Sequence, residues 1–258
     1  MIKTALVTLS TEGVQVIRQL ATGFPQANLF VHQSIHMDID ALRFKSIVEL
    51  TAAIFNQYQA LIYVAPAGVV VRAIAPHVKS KYTDPAVVVV DAMGRFAVSL
   101  LSGHEGGANE IALQAANAIG AEPVITTTTE ALKSLIVGVG CRRGAKAEEI
   151  IEAIKKALSE IKADPEEVRL LASADIKAQE EGLIEAAVRL GIPLRLITSE
   201  EIREAKKVFA GSELAQKKVG LPAVAEPAAL LAGKHTRLIL ERIIWKSITV
   251  AIARENFT

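Results

Sequence analysis

The chain has 258 residues, of which 51% are hydrophobic and 22% are charged, a composition that excludes a disordered or fibrous protein. Lysine and arginine number 29 against 28 aspartates and glutamates, so there is no basic excess to favour a nucleic-acid partner. The longest charge-free stretch, 50–71, carries three amide side chains and is too polar for a membrane span. With a single cysteine and no signal-peptide pattern, we expect a cytoplasmic protein without disulfides or membrane contact.

Short β-branched segments alternate with helical segments in the first half of the chain. The pattern predicts strands at 2–9, 60–64, 86–90, 96–101 and 123–126, and helices at 12–21, 44–57 and 108–119. The strand at 86–90 is apolar on both faces, which is typical of a central strand covered by helices. A turn-rich segment at 91–94 predicts that the next strand returns as a hairpin.

The second half repeats this alternation. It predicts strands at 135–139, 168–172, 193–197, 237–244 and 247–253, helices at 147–160 and 178–190, and a capping box from Thr198 to Glu201 that opens a further helix. Strands alternating with helices indicate an α/β fold. We therefore predict two α/β domains, at 1–130 and 134–258, each with a mixed or mostly parallel sheet flanked by helices.

The segment Ser-Gly-His-Glu-Gly-Gly-Ala-Asn at 102–109 joins a predicted strand to a predicted helix. Its glycines allow a ligand to approach the backbone, and free amides at the helix start suit an anion. His104 exchanges a proton near neutral pH, Glu105 is placed to orient it, and Asn109 can donate or accept a hydrogen bond. The alternative is a tight turn in which His104 caps a carbonyl, and the residues alone leave both open.

A second glycine-rich segment, at 138–144, ends in Arg142, Arg143 and Gly144. Adjacent guanidinium groups at a helix start suit a carboxylate or phosphate. A dinucleotide-binding loop is the alternative, but the glycine spacing is one residue too long, and Asp175 comes later than the roughly 20 residues expected. Cys141 is interpreted as a small core residue rather than a nucleophile.

Two further groups have a structural and a functional interpretation. Arg72 is an isolated charge in an apolar segment, so we predict a buried guanidinium that pairs with Asp84 or contacts a ligand, with Lys79 and Lys81 near the same rim. Lys177 and Glu180 lie three residues apart at a helix start. That spacing favours a simple surface ion pair over a ligand site.

Taken together, these motifs resemble the CbiG family of cobalt-precorrin-5A hydrolases, which act in anaerobic cobalamin biosynthesis. The resemblance to the N-terminal domain of the family rests on 65–127, including Ala-Pro-Ala-Gly-Val-Val-Val-Arg, Thr-Asp-Pro-Ala-Val and Ser-Gly-His-Glu-Gly-Gly-Ala-Asn. The resemblance to the C-terminal domain rests on 137–254, including Gly-Val-Gly-Cys-Arg-Arg-Gly, Ala-Asp-Ile-Lys-Ala-Gln-Glu-Glu-Gly and Val-Ala-Glu-Pro-Ala-Ala-Leu. Longer members carry a middle domain that this chain lacks, and the second half alone resembles the CobE-type protein of the aerobic pathway.

The resemblance implies a hydrolase that opens the δ-lactone of a cobalt-corrinoid intermediate and releases acetaldehyde, giving cobalt-precorrin-5B. It implies no cofactor and no protein-bound metal, because the substrate carries the cobalt. Other enzymes of the pathway and a second copy of the chain are the protein partners to consider. The alternative is a non-catalytic corrinoid-binding or carrier protein, which would not need His104.

The same resemblance, with the chemistry of lactone opening, assigns provisional roles. The expected catalytic residues are His104 as the base, oriented by Glu105 or Asp84, with the amides of Gly106 and Gly107 at the developing oxyanion. The expected substrate-binding residues are Arg72, Ser102, Gly103, Gly106, Gly107, Asn109, Gly140, Arg142, Arg143, Lys177 and Glu180.

Overall fold

A computed structural model describes residues 2–205 and 224–256 of the chain. The chain divides at residues 127 and 128 into two compact units, unit 1 (Met1–Thr127) and unit 2 (Thr128–Thr258). The two units are described separately below. That 1–130 and 134–258 are domains, each able to fold and act on its own, stays a prediction.

Unit 1 is a seven-stranded sheet in the order β3-β2-β1-β4-β5-β6-β7, in which neighbouring strands are parallel except for the antiparallel pair β5 and β6. Its strands are β1 (Thr4–Thr8), β2 (Asn28–His32), β3 (Leu42–Phe44), β4 (Ala60–Val64), β5 (Ala86–Val90), β6 (Phe96–Leu101) and β7 (Glu122–Val124). Its helices are α1 (Thr11–Gly23), α2 (Ile47–Ile54), α3 (Ala67–Ile74) and α4 (Ala108–Ile119).

Helices cover both faces of this sheet because its central strands are apolar at every position. Successive side chains of a strand point to opposite faces, so Val88 and Val90 pack with α1 and α4 while Val87 and Val89 pack with α2 and α3. The prediction of a central strand at 86–90 that is covered on both sides is therefore confirmed. The hairpin predicted after it is confirmed as well, since β5 and β6 are antiparallel.

The strand directions decide which loops meet at each edge of the sheet. Because β6 runs against β5, Leu101 pairs with Val87 and the end of β6 lies beside the start of β5. β7 is parallel to β6 and ends at the same edge. Three segments therefore lie together, namely 75–85 before β5, 102–107 after β6 and 125–127 after β7; we call this the histidine edge.

Unit 2 is a five-stranded sheet in the order β10-β9-β8-β12-β11, parallel from β10 to β8 and antiparallel from β8 to β11. Its strands are β8 (Leu135–Cys141), β9 (Val168–Ala174), β10 (Leu194–Ile197), β11 (Thr236–Trp245) and β12 (Ile248–Glu255). Its helices are α5 (Thr128–Ala131), α6 (Ala147–Glu160), α7 (Glu181–Leu190), α8 (Ser199–Glu204) and α9 (Ala225–Leu231).

The core of unit 2 lies between the sheet and the amphipathic helices α6 and α7. Buried side chains of α6 such as Ile150 and Ile154 pack with Leu183 of α7 and with Val137 and Val139 of β8. The C-terminal ends of β8, β9 and β10 meet at one edge, where β12 also begins opposite Cys141. We call this the arginine edge, since the loop 142–146 lies there.

Each unit is thus an α/β layer structure with a mixed sheet, as predicted. The periodicity did not reveal β2, β3 and α3, and the helix predicted at 44–57 contains α2 but begins too early, at the last residue of β3. None of the helices in the described parts of the chain is long and apolar enough to cross a bilayer.

Candidate functional site

The loop 102–107 joins β6 to α4 and is folded tightly on itself. The carbonyl of Ser102 accepts hydrogen bonds from the amides of Gly106 and Ala108, both at 3.1 Å, and the carbonyl of Gly103 accepts from Asn109 at 3.0 Å. The loop carbonyls therefore cap α4 themselves. The expectation of free amides at this helix start is wrong for Gly106, whereas the amide of Gly107 makes no hydrogen bond among the described residues.

A glycine is required inside this loop by the close approach of its own backbone. A Cβ atom on Gly106 would lie 2.4 Å from the Cβ of Ser102 and 2.9 Å from its carbonyl oxygen. Gly107, at the start of α4, has a φ of 81° but open space around it. The glycines thus shape the turn, and the tight-turn interpretation explains them at least as well as contact with a ligand.

Asn109 and Ser102 are buried beneath the loop. The Oδ1 atom of Asn109 accepts a hydrogen bond from Ser99 at 2.8 Å, and its Nδ2 atom donates to Thr127 at 2.9 Å. These bonds tie α4 to β6 and to the segment after β7, so the amide of Asn109 acts within the fold in this structure. The hydroxyl of Ser102 is buried, and it makes no hydrogen bond to the described residues.

His104 and Glu105 are exposed at the tip of the loop. Glu105 binds Lys81, with 2.5 Å between its Oε1 atom and the Lys81 Nζ atom. The ammonium of Lys81 lowers the pKa of Glu105 below its usual value, and the carboxylate in turn raises the pKa of Lys81. The ion pair joins the histidine loop to the segment 75–85, and Lys81 is the residue that holds Glu105 in place.

Asp84 is buried and closes a turn at the histidine edge. Its Oδ2 atom accepts hydrogen bonds from the amides of Lys79 at 2.8 Å and Ser80 at 3.0 Å. The structure shows no bond from Asp84 to His104 or Arg72. A carboxylate used in this way fixes the backbone that presents Lys79 and Lys81.

The prediction of a buried Arg72 is wrong. Its guanidinium is exposed and donates to the carbonyl of Gly68 at 3.0 Å, one turn earlier in α3. The reason is helical geometry, because α3 buries the face that carries Val70, Ala73 and Ile74 and leaves Arg72 on the opposite side. The linear apolar sequence around Arg72 did not distinguish these two faces.

In unit 2, the glycines of the motif at 138–144 do not form one loop. Gly138 and Gly140 lie within β8, and the loop begins only after Cys141. Arg142 and Arg143 are exposed and have no partner among the described residues. Their side chains are therefore available to an anion at the arginine edge.

Glu180 and Lys177 stabilise the loop that carries these arginines. The expectation of a simple surface ion pair is wrong, because only 14% of the Lys177 side chain and 8% of the Glu180 side chain are exposed. The buried Oε1 atom of Glu180 accepts a hydrogen bond from the amide of Gly144 at 2.6 Å, and its Oε2 atom lies 3.5 Å from the Nζ atom of Lys177. A cleft of about 770 Å³ opens beside them, lined by the loop after β8, the loop after β9 and the first turns of α6 and α7. Ligands of α/β sheets bind at such carboxyl ends of parallel strands.

Cys141 lies at the end of β8 beside these groups. Burial raises the pKa of its thiol to about 11, so it is almost entirely protonated near neutral pH. This agrees with the interpretation of Cys141 as a core residue. Among the residues that the structure describes there is no cluster of three His, Cys, Asp or Glu side chains that could hold a metal ion.

The structure therefore brings the predicted site residues together in two groups. Those of the first half, except Arg72 on α3, lie at the histidine edge of unit 1; these are Asp84, Ser102, Gly103, His104, Glu105, Gly106, Gly107 and Asn109. Those of the second half lie at or beside the arginine edge of unit 2; these are Gly140, Arg142, Arg143, Lys177 and Glu180. Their roles in binding and catalysis stay predictions.

Unit 1 has a second place where its topology favours a ligand, which the sequence analysis missed. β2 and β4 lie on opposite sides of β1, so the order of the strands reverses between β1 and β4. A reversal of this kind opens a crevice at the carboxyl ends of the two strands. The segments that border it, 9–13 and 65–68, contain no lysine or arginine. One guanidinium, that of Arg72, reaches Gly68 at this crevice. Lys79, Lys81 and His104 are at the opposite edge, which makes the histidine edge the better candidate for an acidic substrate.

Two family models match the chain. The model described as cobalamin synthesis G N-terminal matches residues 49–130, and the model described as cobalamin synthesis G C-terminus matches residues 135–253. The first match contains the histidine edge, and the second contains the arginine edge. Together they account for most of the chain, in the same order as in the family.

Three curated relatives are similar to the chain. A cobalt-precorrin-5A hydrolase from Priestia megaterium is 26% identical over 357 positions, which cover 96% of this chain and 94% of the relative. One from Salmonella typhimurium is 26% identical over 290 positions, covering 77% of this chain and 82% of the relative. Protein CobE from a Sinorhizobium species is 34% identical over 128 positions, covering 49% of this chain and 83% of the relative.

The alignment with the Priestia megaterium protein runs over 357 positions, whereas this chain has 258 residues. Because the alignment includes 96% of this chain, about 110 of its positions are without a residue of this chain. A length difference of this kind is consistent with the compact arrangement expected from the motifs, in which the two matched regions follow each other directly.

Proposed function

The chain belongs to the cobalamin synthesis G (CbiG) family, whose role is in cobalamin biosynthesis, and on this premise we propose that it is a cobalt-precorrin-5A hydrolase. Relatives with that name align with 77% and 96% of the chain. The structural observation that carries the proposal is the ion pair of Lys81 with Glu105, which holds an exposed histidine beside a segment rich in exposed cations. An acidic substrate that reacts with water needs both features in one place.

The proposed reaction has two steps that balance without a further reagent. In the first, water adds to the lactone carbonyl and the ring C–O bond breaks, leaving a carboxylate on the macrocycle and a hydroxyl on the former meso carbon. In the second, that hydroxyl loses its proton, its C–O bond becomes a carbonyl, and the bond between this carbon and the macrocycle breaks. The electron pair passes to the macrocycle and its cobalt, and acetaldehyde leaves.

Both steps need a proton acceptor, and we assign that role to His104. It is exposed at the tip of its loop and its imidazole makes no hydrogen bond to the described residues, so it is open to water and substrate. A positioned imidazole of this kind contributes about a hundredfold to ten-thousandfold in rate. Glu105 and Lys81 are positioning residues that fix the loop tip rather than direct proton acceptors.

The oxyanion that forms at the lactone carbonyl needs a hydrogen-bond donor. The amide of Gly106 is already bound to Ser102, so we assign this role to the amide of Gly107 alone. Asp84 and Asn109 support the site indirectly, through the backbone of 79–80 and the anchoring of α4. This assignment modifies the roles expected from the sequence.

The acetate and propionate arms of a corrinoid carry several negative charges. In unit 1, the exposed side chains of Arg72 and Lys79 are suited to bind them; in unit 2, those of Arg142 and Arg143 are. The buried Glu180 keeps the unit 2 loop in place through the amide of Gly144. We propose no resident cofactor, since the electron pair is taken up by the substrate.

The test is to give the purified protein cobalt-precorrin-5A under anaerobic conditions and to measure lactone loss and acetaldehyde together. Acetaldehyde formed in step with lactone loss would support the hydrolase. Binding of the substrate without acetaldehyde would contradict it and favour the carrier alternative. Lactone loss without acetaldehyde would restrict the activity to the first step.

A further inference from the structure

The exposed side chains next to the histidine loop combine an aromatic ring with positive charge. Tyr82 is 73% exposed, and its ring lies 4.9 Å from the Nζ atom of Lys81, the same ammonium that binds Glu105. Tyr82 is therefore connected through one side chain to the loop that carries His104. An exposed tyrosine ring at this place has no packing function in unit 1.

The backbone that presents Tyr82 is held firmly. The carboxylate of Asp84 accepts hydrogen bonds from the amides of residues 79 and 80, and the amides of Thr83 and Asp84 donate to the carbonyl of Ser80 at 3.1 and 2.9 Å. This closed turn fixes the positions of Lys79, Lys81 and Tyr82 on its outer side. Because this backbone is already ordered, the binding of a ligand there costs little free energy for ordering the loop.

The charges around the ring indicate the chemistry of its ligand. Lys79, in the same turn as Tyr82, is an exposed cation that has no carboxylate partner among the described residues. The negative groups nearby are already bound, Glu105 by Lys81 and Asp84 by backbone amides. The surface therefore offers an apolar ring face beside uncompensated positive charge, which suits a flat, conjugated ligand with carboxylates on its rim.

We propose that Tyr82 is the docking residue for the face of the macrocycle, and that Lys79 binds carboxylate arms at its rim. This inference rests on the proposed function and extends it, because it places the ring against unit 1 next to His104. Tyr82 acts here in binding and position, and it takes no part in the proton transfers. Tyr82 was not singled out in the sequence analysis, which placed Lys79 and Lys81 near a possible ligand.

The experiment measures binding of cob(II)yrinic acid under anaerobic conditions by the change in its visible spectrum. Its arms end in carboxylates, and its five-coordinate cobalt leaves one face of the ring open. We expect Tyr82→Ala to weaken binding about tenfold and Tyr82→Phe, which keeps the ring, to stay within about twofold of the wild type. Phe96→Ala is the matched control, since Phe96 is an aromatic residue that is 45% exposed at the opposite edge of the same sheet.

The charge is tested separately. We expect Lys79→Gln to weaken binding of the acid severalfold but to leave binding of cob(II)inamide, whose arms are amides, unchanged. Lys45→Gln, an exposed lysine after β3 at the opposite edge, is the control.

The outcomes separate this inference from the proposed function. If the wild type binds the acid and Tyr82→Ala binds it equally well, the docking surface is wrong while the hydrolase proposal stands. If the wild type binds neither corrinoid, the proposed function itself is contradicted. Equal loss in Tyr82→Ala and Phe96→Ala would also overturn the assignment to Tyr82.

Discussion

Replacing Gly138 with alanine tests how the structure explains the glycine motif of unit 2. A Cβ atom on Gly138 would lie 1.9 Å from the carbonyl oxygen of Ala225, 2.8 Å from its carbonyl carbon and 2.9 Å from the Cβ of Ala229. Carbon and oxygen atoms that are not bonded stay about 3.3 Å apart or more. The first turn of α9 would therefore have to move away from β8 by more than about 1 Å.

The atoms that a Cβ at position 138 would meet first belong to the backbone of Ala225, which cannot move aside like a flexible side chain. The loss of stability therefore lies at the upper end of the range for overpacked cores. We expect Gly138→Ala to lower the free energy of unfolding by about 3 kcal/mol. For a unit of this size that corresponds to a fall of roughly 10 °C in Tm. Trp245 is the single tryptophan in the sequence and lies in β11, so its fluorescence reports the unfolding of unit 2.

Gly140→Ala is the matched control in the same strand. Its Cβ atom would lie 3.4 Å from the nearest atom, the Cβ of Val224, which is ordinary contact. We expect its free energy of unfolding to stay within about 1 kcal/mol of the wild type. The reasoning would be refuted if both variants were equally stable, because the glycine at 138 would then have no packing role.

Two further predictions concern unit 2. Glu180→Ala leaves the amide of Gly144 without its acceptor, which costs about 1–3 kcal/mol. We therefore expect trypsin to cut this variant faster after Arg142 and Arg143, and to cut Glu180→Gln at nearly the wild-type rate. Equal cleavage of all three proteins would disprove the role of this bond. Since burial raises the pKa of Cys141 to about 11, we expect iodoacetamide at pH 8 to alkylate it at least about 100-fold more slowly than an exposed cysteine of pKa about 8.5. A rate like that of a free thiol would contradict the burial of Cys141.

Periodicity and composition were sufficient for the α/β class and for the central strands. The strand at 86–90 was predictable because five consecutive apolar residues, four of them β-branched and bounded by Pro85 and Asp91, favour a strand buried on both faces. β2 was missed because it is only five residues long, and α3 was missed because it is short and contains three consecutive valines, which do not mark a helix by their spacing. The physical signal of such elements comes from packing against neighbours rather than from their own sequence.

The candidate site shows where local sequence is insufficient. The pair of Lys81 with Glu105 joins residues 24 apart, and the bond from Gly144 to Glu180 joins residues 36 apart; each depends on strand register that no single segment encodes. Gly138 lies in a glycine-rich motif that suggested a ligand loop, yet the contact it permits is with α9. Arg72 was assigned to the interior from its apolar neighbours, although the helix turns it outwards.

The assignment of catalysis to His104 is tested most directly by a single-turnover experiment with excess protein over cobalt-precorrin-5A, in which acetaldehyde is trapped and timed. His36→Ala is the matched control, because His36 is an exposed histidine in the loop that follows β2 at the opposite edge of unit 1. We predict that His104→Ala binds the substrate normally but forms acetaldehyde at least about a hundredfold more slowly, while His36→Ala matches the wild type. Acetaldehyde formation at the wild-type rate by His104→Ala would contradict the account.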